Sequence, residues 1–308
     1  YKDSGVRKDS SYWKENRRDT LTAQDAKVYK MVDSVQTVPM YKTIYNLVNM
    51  LVNYYYVVGP VEIGPYYTAF STNPIEGNRF RIGGRTSNAF STKVMFGGHL
   101  AYGTKDEKFK YGGNIDYMFS TTPRVSVGGS FYHDIRQLGK SSNAFLDDNI
   151  LTSVFRRNPN NKLTMVDQYN AFFEKEWWEG FSNKLSFKYQ TIFPTEYIPF
   201  RVVNAPGDTV SVGSISSSEF SFSLHYAYRE KFLTGKFERV SLGSKYPIVD
   251  LDIRYAPKDV FDSKYEFWSF KLQLSDKVLT SPAGFFKYRV TAGKIIGDLP
   301  YPLLELHE

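Results

Sequence analysis

From residue 61 onward the chain alternates apolar and polar residues with a period of two, and it does so over runs too long for most soluble sheets. Phe220, Phe222, Leu224 and Tyr226 alternate with Glu219, Ser221, Ser223 and His225. Trp268, Phe270, Leu272 and Leu274 alternate with Ser269, Lys271, Gln273 and Ser275. Further runs cover 79–86, 93–102, 109–119, 124–133, 185–193, 249–255 and 286–291. A period of two places every second side chain on one face of a strand. Runs near ten residues match a tilted strand crossing a hydrocarbon core, whereas soluble strands average about half that length.

Composition supports the same choice. Tyr, Phe and Trp number 24, 24 and 4 in 308 residues, or 17% aromatic, yet the mean hydropathy is −0.40. A bundle of membrane helices is excluded by that average, and a disordered chain by the 42% hydrophobic content. Two settings reconcile the two values, a large all-β sandwich or an antiparallel transmembrane β-barrel with aromatic girdles, and the long alternating runs favour the barrel. Cysteine is absent, so disulfide and thiol chemistry are excluded.

The expected organisation has two parts. Residues 1–56 read as a polar linker followed by two short helices on the periplasmic side, one opened by Thr22 with Asp25 and running to about Gln36, the other from about Met40 to Tyr54. The second is amphipathic, with Ile44, Leu47, Val48 and Leu51 opposite Lys42, Asn46, Asn49 and Asn53. It either packs on a neighbouring domain or lies along a membrane face. Thr43–Val61 is uncharged, but its asparagines and Gly59-Pro60 argue against a spanning helix. Residues 57–308 read as an outer-membrane barrel of about 12 strands, starting with a strand near 61–70. Connections near 87–91, 120–123, 178–181 and 230–235 are expected to be short, and those near 134–163 and 194–216 long. That parity places the short turns on the periplasmic side.

Four glycine pairs, Gly83-Gly84, Gly97-Gly98, Gly112-Gly113 and Gly128-Gly129, fall in the middle of four successive strands. The first of each pair continues the polar face and the second the apolar face. Such a row gives curvature and close approach without a ligand. No helix follows any pair, so a phosphate loop is excluded. Trp177 and Trp178 at a short turn read as interfacial anchors.

With the apolar face toward lipid, the interior receives Arg79, Arg81, Arg85, Lys93, Lys110, Arg124, Lys188, Arg229, Arg254, Lys271, Lys287 and Arg289 against Asp116, Glu219, Asp250 and Asp252. Two readings stay open: a basic lumen that attracts anionic solutes, or Arg–carboxylate networks that hold the wall. Among enzyme signatures, no His-Glu-x-x-His, Gly-x-Ser-x-Gly or phosphate loop occurs. A hydrolase would have to use an inward-facing His99 or His225. No metal or cofactor is expected. Basic residues are spread along strands, which gives no support to nucleic-acid binding.

The run Gly-Pro-Val-Glu-Ile-Gly-Pro-Tyr (59–66), then Asn-Pro-Ile-Glu-Gly-Asn-Arg-Phe-Arg-Ile-Gly-Gly-Arg-Thr (73–86), resembles a Bacteroidota outer-membrane family of unknown function. Lys93–Tyr111 and Phe285–Glu308, with Pro-Tyr-Pro-Leu-Leu-Glu at 300–305, continue the resemblance. It implies an N-terminal carboxypeptidase-like regulatory domain, which is not expected within residues 1–20 here. It also implies a barrel similar to the BamA and TamA assembly proteins, which have sixteen strands. The function so implied is non-enzymatic assistance in assembly, insertion or export of envelope components, with outer-membrane lipids and other envelope proteins as partners. No catalytic residue follows from the resemblance. The present chain is then expected to be an incomplete barrel. Its last strand, Phe285–Lys294, pairs with the strand near Tyr265–Ser275 and not with Val61–Phe70, and Ile295–Glu308 leads onward as a periplasmic turn.

Overall fold

The computed structural model describes residues 12, 16, 22–139, 162–205, 208–280 and 284–304. Most of the polar segment 1–20, the middle of the 134–163 connection and the C-terminal Leu306-His307-Glu308 lie outside the described residues. The chain divides into two compact units, residues 1–53 and Tyr54–Glu308.

The first unit contains helices α1 (Ala23–Thr37) and α2 (Pro39–Asn53). Thr22 caps α1 by accepting from the Asp25 backbone, and the Asp25 carboxylate accepts in return from the Thr22 backbone. This reciprocal arrangement satisfies two otherwise orphaned N–H groups. Pro39 opens α2, where its missing N–H costs nothing. No residue of α2 is buried. Among the described residues, no helix is long and apolar enough to cross a membrane.

The second unit is one large antiparallel sheet with two small hairpins. Its wall runs through β1 (Tyr56–Val58), β2 (Val61–Ile63), β4 (Gly77–Thr86), β5 (Val94–Gly103), β6 (Phe109–Thr121), β7 (Arg124–Gln137), β8 (Leu163–Trp178), β9 (Phe181–Phe193), β12 (Ile215–Ala227), β15 (Ile248–Ala256), β16 (Phe267–Leu279) and β17 (Phe285–Gly297). β3 (Phe70–Asn73) also pairs with β4. The hairpins are β10–β11 (Arg201–Ala205, Asp208–Ser211) and β13–β14 (Lys231–Thr234, Arg239–Gly243).

Three expectations need correction. The first strand is not continuous over 61–70: it breaks into β2 and β3 around a 3₁₀ turn at Tyr66–Thr68. Pro65 has no N–H to offer the ladder, and the Tyr66 N–H turns to the Tyr54 carbonyl. The 230–235 connection is not a short turn. Residues 228–247 form a 20-residue excursion holding β13 and β14, whose alternation suits a detached hairpin as well as a wall strand. Because that hairpin leaves the wall, every later strand runs opposite to expectation. The segment after β17 therefore lies with the long connections: the 3₁₀ turn Tyr301–Leu303 sits against the β9–β12 loop, where the Tyr301 hydroxyl donates to the Pro199 carbonyl at 3.4 Å.

The closure expectation agrees with the ladder pattern. β17 pairs with β16 from Phe285↔Leu279 to Gly297↔Phe267. Among the described residues it shares no ladder with β2 or β3, so the sheet is an open path.

The sheet curls toward its polar face. Arg79 of β4 reaches Asp134 of β7 at 2.6 Å. Those strands are three ladder spacings apart, about 14 Å along a flat sheet, so the pair meets only on a concave surface. The convex face carries Phe80, Ile82, Leu100, Ile115, Leu185 and Leu272, each at least 46% exposed. The glycine pairs straddle the two faces. A Cβ on Gly112 would stand 2.8 Å from both His99 and Tyr132, and one on Gly128 2.5 Å from Asp116 and Phe172. On the convex side, a Cβ on Gly113 or Gly129 would meet only neighbouring backbone, at 3.4 and 3.6 Å.

Candidate functional site

The two ends of the sheet differ. One end, here the near end, holds the connections 87–93, 122–123, 179–180 and 228–247, with the end of β16 and the start of β17. The far end holds 74–76, 104–108 and 257–266, with the end of β7, the start of β8 and the β10–β11 hairpin that follows β9. Between them the concave face is lined by the polar phase of every strand.

Its far half centres on buried charges. Glu76, fully buried in the β3–β4 turn, accepts from Asn73 at 2.7 Å and pairs with Arg79 at 3.1 Å and Lys110 at 3.0 Å. Lys110, also fully buried, pairs in addition with Asp106. Asp134 takes both Arg79 guanidinium nitrogens and His99 Nε2 at 3.0 Å. Every charge in this group faces an opposite one, the condition under which burial is tolerated. At the far mouth, Ile198 and Phe200 of the β9–β12 loop join Val166, Ile192 and Ile215 in the buried apolar cluster, with Leu303 packed beside it. Apolar side chains therefore fill that mouth.

At the near half, the β13–β14 hairpin folds back across the concave face. Glu238 pairs with Arg85 of β4, and the Phe237 carbonyl accepts from Arg124 of β7 at 2.9 Å. Arg239 pairs with Glu176 of β8 at 2.7 Å, and Ser241 donates to Glu230. Beneath the hairpin lies a cavity of about 680 Å³ lined by β7, β8, β9, β12, β15 and β16. Its lining charges alternate in sign: Arg124, Lys184, Arg239 and Lys271 against Glu174, Glu176, Glu230, Asp250 and Asp252. His225 lies between two carboxylates, Asp250 at 2.6 Å from Nδ1 and Glu230 at 2.7 Å from Nε2. Neither ring nitrogen is left to take a proton from a serine, as a hydrolytic base must.

The basic residues named from the sequence separate into groups. Arg79, Lys110, Arg81, Arg85 and Arg124 stand on the concave face with partners: Arg81 with Thr68, Arg85 with Glu62 at 2.6 Å and over the Tyr55 ring, Arg124 with Glu174 at 3.5 Å. Lys188 and Arg254 both approach Glu219, at 2.9 and 3.9 Å. Lys93 precedes β5 and is exposed, and Arg229 lies past the end of β12, exposed over the Tyr228 ring. Lys287 and Arg289 occupy the edge strand β17 and are exposed. Trp177 and Trp178 end β8 at the near end, 52% and 58% exposed, with Trp178 stacked on Phe181.

Sequence reasoning missed most of the acidic partners. Asp134 follows the polar phase of β7 one residue past the run read there, and Glu174 and Glu176 follow the polar phase of β8, over which no run was read. Glu76, Asp106, Glu230 and Glu238 sit in turns and the hairpin, where no phase marks them. Among the described residues, no cluster of His, Cys, Asp and Glu could hold a metal ion.

Fold and site together define an antiparallel sheet of the β-barrel type, with an apolar outer wall and an ion-paired interior. The chain belongs to a family of unknown function (DUF5686), whose C-terminal-domain model matches residues 48–298. A search of curated proteins gave no match. Among solved structures, the chain is similar to BamA from Haemophilus ducreyi lacking POTRA domains 1–3, with 12% identity and a TM-score of 0.43. The match covers 77% of this chain but only 41% of the other, so the chain spans about two fifths of that structure's length.

Proposed function

We propose that this chain forms the wall of an outer-membrane barrel that assists assembly, insertion or export of envelope components, without catalysing a reaction. Two observations support a lipid-facing wall: a convex face of exposed Phe, Tyr, Leu and Ile, and tryptophans at the near end. Such a face in water would be far larger than the apolar patches soluble monomers carry.

The observation that favours an assembly role over a pore is the state of the interior. A channel for anions needs unpaired positive charge along an open path. Here the concave-face cations Arg79, Arg85, Lys110, Arg124, Lys188 and Arg254 have carboxylate partners, and an apolar cluster and a hairpin occupy the two mouths.

Planar bilayers and cell depletion test the reading together. The expected result is no steady conductance from the purified protein, while cells depleted of it carry less of other outer-membrane proteins or lipids. Steady anion-selective conductance, with an unchanged envelope on depletion, overturns it in favour of a pore.

A further inference from the structure

The 228–247 connection is the exception to the loop pattern. Every other connection at the near end spans at most seven residues, while this one spans twenty. One face of its hairpin points to the cavity through Phe232, Arg239 and Ser241. By strand alternation the opposite face presents Leu233 and Val240, exposed at 66% and 57%, and the bulged Leu242 between Ser241 and Gly243 is exposed at 66%. Tyr228 and Tyr246 pack on each other at the base of the excursion, with 5.0 Å between ring centroids.

Arg229, Lys231, Lys236 and Lys245 surround these residues, and all are exposed. Of the two carboxylates in the same excursion, Glu230 is buried against His225, and Glu238, with its side chain 67% exposed, is paired with Arg85. The surface therefore joins three aliphatic side chains to four exposed cations, and both acids of the excursion already have partners. Hairpin contacts to β4, β7 and β8 hold this face over the mouth rather than along the lipid-facing wall.

We infer that the outer face of the β13–β14 hairpin is a docking surface for an acidic polypeptide segment that also carries apolar side chains. Charge complementarity selects such a partner and rejects a basic one, and the exposed leucines supply the burial that holds it. The compartment this face meets rests on the membrane reading above; the docking itself does not.

The test uses the full chain in detergent micelles or lipid nanodiscs. Its probe is a fluorescent synthetic peptide alternating Leu and Glu, with a Leu/Lys peptide and a Ser/Glu peptide as controls. The Leu/Glu peptide is expected to bind and both controls to fail. Reversal of the rim (Arg229→Glu, Lys231→Glu, Lys236→Glu, Lys245→Glu) is expected to weaken binding by about tenfold or more. Unchanged ultraviolet spectra and an unchanged urea midpoint establish that the variant folds. Equal affinity for the variant, or for the Leu/Lys peptide, overturns the proposal.

Because the chain has no cysteine, single labels report the other occupants. A Leu233→Cys label quenched by lipid-borne quenchers assigns the surface to the membrane, and a concentration-dependent dimer lost on Leu242→Asp assigns it to a second copy. Either result also overturns the proposal. A Leu272→Cys label reached by aqueous but not lipid-borne quenchers would instead refute the membrane reading and leave docking standing.

Discussion

Two adjacent residues, Gly112 and Gly113, are expected to respond to the same substitution with opposite signs. In Gly112→Ala the new methyl group would stand 2.8 Å from His99 Cε1, 2.8 Å from Tyr132 Cβ and 3.0 Å from the Phe131 carbonyl oxygen. The last is backbone of a paired strand and cannot retreat without disturbing the ladder. Overpacking of this kind costs about 1–3 kcal/mol. In Gly113→Ala the nearest atom is the Gly97 carbonyl oxygen at 3.4 Å, an ordinary contact. There the substitution recovers the backbone entropy glycine loses in a strand, about 0.5–1 kcal/mol. The assay is urea unfolding of the protein in micelles or vesicles, followed by tryptophan fluorescence. With a urea slope of about 1–3 kcal/mol per molar, Gly112→Ala should lower the midpoint by about 1 M. Gly113→Ala should leave it unchanged or raise it. The pair Gly128 and Gly129 repeats the comparison, with nearest approaches of 2.5 and 3.6 Å. Equal shifts within both pairs would refute the claim that the polar-side glycines are required by packing while Gly113 and Gly129 meet only ordinary backbone contacts.

Glu76→Ala removes the carboxylate shared by Arg79 and Lys110, which keep Asp134 and Asp106 as partners, and should lower unfolding stability by about 1.5–3 kcal/mol, read in the same titration. Arg239→Ala removes the tie to Glu176, so limited proteolysis should cut within 228–247 faster than in the parent protein, with other sites unaffected. Trp178→Ala removes the stacked pair with Phe181 and should cost about 0.5–1.5 kcal/mol beyond the lost area, whereas Trp178→Phe should retain most of it. Ester hydrolysis by the purified chain, if seen at all, should survive His225→Gln, because both ring nitrogens already face carboxylates.

The wall was legible because a two-residue period is a strong signal when repeated over ten residues. Helix α1 was legible from Thr22 and Asp25, and the edge pairing of β17 from its place after β16. The hairpin was not, because Val240 and Leu242 flank Ser241 as in a short wall strand, and only tertiary ion pairs pull the segment across the mouth. The break at Pro65 was visible as a proline, but its effect on the ladder depends on where the Tyr66 N–H goes. For the interior, the phase gave the cations of β4, β6 and β7 their face. The run read for β7 stopped at His133, one residue short of Asp134, and no alternating run was read over β8, which left Glu174 and Glu176 out of the balance. An apparent excess of positive charge therefore stood where the fold has pairing.

The bond from Arg79 to Asp134 acts as a chord drawn under an arc of four strands. An arc of fixed length over a chord of fixed length has one radius, and in a closed barrel the radius is tied to the number of strands around it. Side-chain reach thus becomes a measure of circumference. A longer or shorter bridge at these two positions would ask the sheet for a different curvature, and so for a different number of strands to complete the turn. Seen in this way, the buried charges do more than neutralise one another: they gauge how wide a cylinder the wall can belong to.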